Sequence, residues 1–204
     1  MADKLESPPA SAPDPLPELL DDDSGLLWRI HAEPDPLNPP TYASGRFRFD
    51  APAGEFAVTY GNADHGACFA EVYGDRRHVP ADHGDRYLSI LFADRPLNVI
   101  ALDRGPILAA LGIDNRIATS TDYQVTMEWS LALHSWYPDA DTIRYLGRKA
   151  TDQLNYCFFL DRCAGDLEVR RLDQLRDLER IVKAVATQWS LGFAGFDPAA
   201  GAWP

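Results

Sequence analysis

Arg29 stands inside the apolar run Leu26-Leu27-Trp28-Arg29-Ile30. A guanidinium taken out of water needs a partner, because its desolvation is costly. That partner is either a structural carboxylate or a phosphate, whose oxygens fit the planar donor fork. Arg46 and Arg48 follow in Gly45-Arg46-Phe47-Arg48-Phe49 and could join Arg29 in a local basic pocket. Tyr60 ends the segment Phe56–Tyr60. It is either a core tyrosine with a satisfied hydroxyl or a ring on which a ligand stacks. Glu71 follows on a segment where Ala67, Ala70, Glu71 and Gly74 would share one side of a helix. A side that small lets something approach closely. A carboxylate there, just past a strand end, is either an exposed helix residue or a stabiliser of developing positive charge.

The elements that must position these residues can be read from periodicity and breakers. Leu26–Ile30 reads as a buried strand, 45–49 as a short alternating strand, and Phe56–Tyr60 as a strand ending near Gly61. Asn62 is the expected N-cap, with Asp64 in the first turn, of a helix over Ala63–Tyr73 that stops at Gly74. Tyr87–Ala93 and Leu97–Leu102 read as adjacent strands turned at Asp94-Arg95-Pro96. A short helix covers Pro106–Leu111, and Asp122 caps another that runs to about Ser135. Strands are expected at Thr142–Leu146 and Tyr156–Leu160, and a last helix at Asp173–Gln188 with Leu175, Leu178, Val182 and Val185 on one stripe. Without regular βαβ alternation, this mixture predicts α+β with a mixed or antiparallel sheet.

Residues 1–24 hold Pro8, Pro9, Pro13, Pro15 and Pro17 and the run Asp21-Asp22-Asp23, which predicts a flexible acidic tail from which Leu16–Leu20 could pack as an arm. Residues 25–204 form the expected single domain, with 46% hydrophobic residues in the chain to build its core. The net charge of −12 gives no basic footprint for nucleic acid or an anionic membrane. No apolar stretch approaches the roughly 18 residues of a membrane helix, and the first residues lack a secretory apolar core, so the expected location is the cytoplasm. Cys68, Cys157 and Cys163 fall in no disulfide or zinc spacing and read as buried thiols. The scattered histidines suggest no metal site, and the familiar phosphate-loop, dinucleotide, zinc-protease and serine-elbow motifs are absent from the sequence. A homodimer is the commonest symmetric assembly for such a domain.

The order of the singled-out residues is more specific than any one of them. Leu27-Trp28-Arg29-Ile30, Gly45-Arg46-Phe47, Val58-Thr59-Tyr60 and Ala70-Glu71 together resemble the amino-terminal signature of the RES domain family, named for its Arg, Glu and Ser. Asp122-Tyr123 with Thr126 and Trp129, Asp141-Thr142-Ile143-Arg144-Tyr145, and Cys157–Asp161 with Arg162 extend the resemblance over about residues 26–165. It implies an ADP-ribosyltransferase-like mixed sheet core with surrounding helices. It also implies a toxin of a toxin–antitoxin pair that consumes NAD by hydrolysis, phosphorolysis or ADP-ribosyl transfer, without metal, and an Xre-type antitoxin as partner. The implied catalytic residues are Glu71, Arg29 and Tyr60. Arg46, Gly147 and Arg148 would contact the NAD. In this role Glu71 stabilises the oxocarbenium character of the ribose, the arginines hold the pyrophosphate, and Tyr60 holds the nicotinamide ring. One departure stands out. The family's Tyr-x-Ser-Arg is here Tyr145-Leu146-Gly147-Arg148, which replaces a hydroxyl by a backbone N–H. Thr151 or Ser120 could supply the hydroxyl, Gly147→Ser is expected to be tolerated, and a non-catalytic nucleotide-binding or interaction module is the alternative function.

Overall fold

Two strands that run through the middle of the domain are buried almost residue by residue. Tyr156–Phe159 and Thr142–Tyr145 show no alternation of exposed and buried positions. That pattern requires cover on both faces of a sheet, and the rest of the fold supplies it. The computed structural model describes residues 4–22, 25–32, 37 and 45–193.

Ten strands and six α-helices appear among the described residues. In chain order they are β1 (Leu20–Asp22), β2 (Leu27–His31), β3 (Val58–Asn62), α1 (His65–Tyr73), β4 (His78–Val79), β5 (Tyr87–Ala93), β6 (Leu97–Ala101), α2 (Gly105–Ala110), α3 (Arg116–Thr119), α4 (Tyr123–Trp136), β7 (Thr142–Leu146), β8 (Leu154–Phe159), α5 (Leu160–Cys163), β9 (Leu167–Gln174), α6 (Glu179–Trp189) and β10 (Gly192–Phe193). Eight strands make one sheet in the order β1-β6-β7-β8-β3-β2-β5-β9. Only β6 and β7 pair in parallel within it; the other pairs are antiparallel. The protein is therefore α+β with a mixed sheet and surrounding helices.

Because successive side chains of a strand face opposite ways, β8 serves two cores. Cys157 and Phe159 join Phe49, Val58 and Ile143 beneath α2, α3 and α4. Tyr156 and Phe158 join Leu27, Leu91, Cys163 and Leu167 on the other face. A further cluster packs Ile30 and Leu88 against Phe69 and Tyr73 of α1 and Val182 and Val185 of α6. Each of these fully buried valines contributes roughly 1.5–3 kcal/mol. All three cysteines are free and buried.

Several expectations need correction. The strands β5 and β6, joined by the turn at Asp94-Arg95-Pro96, are not neighbours. β7, β8, β3 and β2 lie between them in the sheet. Arg95 holds that turn open by binding Asp141 and Asp166, so it is a crossing rather than a hairpin. Residues 45–49 form a turn rather than a strand. The Asp50 carboxylate accepts the amides of Arg46 and Phe47, and Gly45 has φ +87°. The last helix starts at Glu179 rather than Asp173, because residues 167–174 extend the sheet as β9 beside β5.

The segment expected to be a flexible tail lies on the domain over its described length. Leu5 is 6% exposed within the core under α4. Trp129 Nε1 donates to the Glu6 carbonyl at 2.8 Å. β1 pairs antiparallel with β6 and forms one edge of the sheet. The apolar positions Leu5, Leu16 and Leu19 outweigh the prolines between them. Among the described residues, no helix is long and apolar enough to cross a membrane.

Candidate active site

α1 follows directly from β3, and two asparagines fix the junction. Asn62 Nδ2 donates to Asn155 Oδ1, its cross-strand partner at the end of the β3–β8 ladder, and Asn62 Oδ1 accepts the Asp64 amide at 2.8 Å. The helix begins two residues later than expected. Asp64, not Asn62, is its N-cap and accepts the Ala67 amide at 2.8 Å. Glu71 thus sits in the last turns of a short helix whose start is pinned to the central strands.

What approaches the small side of α1 is the β7–β8 loop. This loop closes on itself through Gly147 N donating to Gln153 O (2.9 Å) and Gln153 N to Ala150 O (3.0 Å). Its amides of Lys149 and Ala150 both donate to Glu71 Oε1, at 2.7 and 3.1 Å. Consecutive N–H groups converging on one oxygen form an anion-binding nest, and here the protein's own carboxylate fills it. Among the described residues no hydrogen bond falls on Glu71 Oε2. The carboxylate is therefore oriented by one oxygen and open at the other.

Gly147 belongs to this arrangement by its lack of a side chain. A β-carbon there would lie 2.6 Å from Glu71 Oε1, 2.6 Å from Ala150 O and 3.1 Å from Asn155 Nδ2. The expectation that serine would be tolerated is overturned. Position 147 serves close packing, and no hydroxyl fits without displacing backbone. Of the two hydroxyls that could have replaced it, Thr151 is exposed, and Ser120 Oγ accepts the Asp122 amide.

Arg29 and Tyr60 meet between β2 and β3. β2 and β3 pair only through Trp28 and Asn62. Where the strands part, Arg29 Nη1 donates to the Tyr60 carbonyl at 3.1 Å. The Tyr60 hydroxyl is engaged by the turn before β3, donating to Asp50 Oδ1 (2.8 Å) and accepting the Phe49 amide (3.0 Å). Burial, with Cys157, Asp50 and Tyr145 acting the same way, raises its pKa well above the usual phenol value. Tyr60 is thus a neutral phenol with a committed hydroxyl, its ring packed edge-on against Phe47.

The same turn sorts its two arginines. Arg46 is exposed, its guanidinium 5.4 Å from the Phe47 ring. Arg48 is buried, with Nη1 donating to Ser120 O (2.7 Å) and Ile117 O (3.3 Å) and its guanidinium 5.1 Å from the Tyr123 ring. Arg148 donates to Asp75 at 2.7 Å, and the Lys149 ammonium pairs with the same carboxylate. Tyr145 joins the two halves of the site electrostatically. Its pKa is raised by burial first, then by Cys157 and Glu71, with Arg48 opposing.

The structure therefore gathers Glu71 with Gly147 and the loop bearing Arg148, and separately joins Arg29 to Tyr60. It leaves Arg46 exposed. The sequence reading grouped Arg48 with Arg29 and Arg46 in a possible basic pocket, but it missed Asp50 and the amides of Lys149 and Ala150. Asp50, four residues beyond Arg46, was the available signal, since a short acidic side chain at that spacing favours a turn.

The class these elements define is an α+β domain on a mixed eight-stranded sheet, with a loop-held glutamate on the helix that follows a central strand. No protein-family model matches the chain. No curated protein sequence matches it either. Among solved structures, a chain of the M. tuberculosis MbcT-MbcA toxin–antitoxin complex matches over 82% of this chain and 91% of that one, with a TM-score of 0.55 and 15% identity. At that identity the likeness shows a shared fold.

Proposed function

We propose that this protein is the toxin of a toxin–antitoxin pair and that it cleaves the nicotinamide–ribose bond of NAD. The observation that carries the reading is the Glu71 carboxylate. One oxygen is held by the amides of Lys149 and Ala150, and no hydrogen bond among the described residues falls on the other. The ordered resemblance to the RES domain family and the fold shared with a chain of a toxin–antitoxin complex support it.

Departure of nicotinamide leaves positive charge on the ribose, as in glycoside cleavage. A fixed carboxylate beside that carbon stabilises the charge without reorganising at the moment of reaction. Glu71 Oε2 takes this role and accepts a ribose hydroxyl. The Tyr60 ring packs on the nicotinamide, Arg29 faces the pyrophosphate, and Arg46 and Arg148 reach the ligand from the rim. Water, phosphate or a protein side chain accepts the ADP-ribosyl group. No metal is required, because nicotinamide leaves readily. The partner is an antitoxin of the Xre type, and the complex works in the cytoplasm.

One observation favours a second reading. Glu71 already fastens the β7–β8 loop, so in a non-catalytic binding module its charge serves structure. Incubating purified protein with NAD, with and without phosphate, followed by mass spectrometry, separates the two. Free nicotinamide with ADP-ribose, or with its phosphorylated form, supports the enzyme and names the acceptor. NAD that binds but stays intact supports the module.

A further inference from the structure

We propose that Arg48 is an anion anchor of this site, binding a phosphoryl group through the Nε and Nη2 edge of its guanidinium. The residue is 6% exposed, deeper than Arg29 or Arg46. A guanidinium carries five N–H donors. In Arg48 only Nη1 is engaged, by the carbonyls of Ile117 and Ser120. Among the described residues no carboxylate lies within ion-pair distance of it. Arg144, buried to a similar 7%, is instead matched by Asp103, whose carboxylate accepts from Nε at 2.8 Å.

A buried cation without a counter-ion is strongly disfavoured, so a position of this kind is kept where an anion arrives. The Nε–Nη2 edge is the one that meets two oxygens of a phosphate at once. The Tyr123 ring and the two carbonyls fix the plane of the fork, so little order is lost on binding. Burial loosens the hold of Arg48 on its proton and Arg148 acts in the same direction, while Tyr145, Tyr123 and Glu71 oppose. Identifying that anion with the pyrophosphate of a dinucleotide rests on the NAD reading; the anchor itself does not.

The test is calorimetric titration of the full chain with inorganic phosphate, inorganic pyrophosphate, adenosine diphosphate and adenosine. The wild-type protein is expected to bind pyrophosphate and adenosine diphosphate. Arg48→Gln should weaken both at least tenfold, while Arg180→Gln, an exposed arginine of α6, should not. Arg48→Lys keeps the charge but loses the fork, and should weaken both several-fold with an unchanged melting temperature; it decides the matter if Arg48→Gln does not fold. Competition between phosphate and adenosine diphosphate marks a seat for a nucleotide phosphate. Phosphate binding that adenosine diphosphate leaves untouched marks a seat for the free ion. The anchor is overturned if the wild type binds neither anion, or if a folded Arg48 variant binds them as tightly as wild type. Arg48-dependent pyrophosphate binding without NAD consumption would retire the NAD reading and leave the anchor standing.

Discussion

Gly147 makes room for the Glu71 carboxylate: a β-carbon at residue 147 would stand 2.6 Å from Glu71 Oε1. The absence of a side chain at residue 147 and the seating of Glu71 on the Lys149 and Ala150 amides therefore belong together.

Replacing Glu71 by Gln should preserve the fold and remove the chemistry. The Gln carbonyl can still accept from Lys149 and Ala150, but the charge that stabilises the ribose is gone. A fall in NAD consumption of about 10²–10³-fold is expected, the scale of removing one electrostatic stabiliser, with the melting temperature within a few degrees of wild type. Turnover at the wild-type rate would remove Glu71 from the mechanism.

Gly147→Ser should destabilise the protein rather than restore a family function. The added atoms meet Ala150 O and Glu71 Oε1, and overpacking of this kind costs about 1–3 kcal/mol. Urea unfolding measures the loss, and NAD consumption should fall with it as the loop is pushed off Glu71. An unchanged unfolding midpoint would show that the loop yields freely.

The Arg95–Asp141 pair should set an acid limit on stability. Burial alone would raise the Asp141 pKa, but hydrogen bonds from Arg95 and the Asn98 amide, with the charges of Arg95 and Arg162, leave it below the usual carboxylate value. A carboxyl depressed on folding stabilises above its unfolded pKa of about 3.9 and loses that contribution as pH falls through the folded value. The urea midpoint should therefore drop below about pH 4. Asp141→Asn should be less stable than wild type at pH 6, and the difference should shrink as the solution is acidified. A gap that does not vary with pH would contradict this assignment.

The docked amino-terminal arm should be part of the folding unit. Leu5 is as enclosed as the core of α4, so Leu5→Ala is expected to cost about 2–5 kcal/mol. Trp129 loses its carbonyl partner if the arm detaches, and its fluorescence should shift to the red. A Leu5→Ala variant with wild-type stability and emission would show that the arm adds nothing.

The sequence revealed local elements better than their neighbours in space. Apolar periodicity located β2, β5, β7, β8, α2 and α4 to within a few residues, because each buries a face whose pattern is continuous along the chain. The separation of β5 from β6 was hidden, since a three-residue turn signal does not say whether Arg95 folds back or bridges to Asp141 and Asp166. The Leu175–Val185 stripe misled at its start because Leu175 and Leu178 are spaced for a helix yet reach the same cluster from a 3₁₀ turn and the residue that follows it. In the site, Glu71 could be found from the strand, helix and small-residue face around it. Arg48 could not be told from Arg46, because which arginine turns inward is decided by how Asp50 closes the turn.

Cys68 lies on the buried face of α1, Cys157 next to Tyr60 on the central strands, and Cys163 below the opposite face. Burial pushes the thiols of Cys68 and Cys163 up to about 12 and that of Cys157 up as well. Alkylating reagents attack the thiolate, so the closed molecule is almost inert to them and reacts only when a segment opens. Three native sulfurs thus act as built-in clocks, one for each packed layer, and the order in which they are modified reports which layer loosens first.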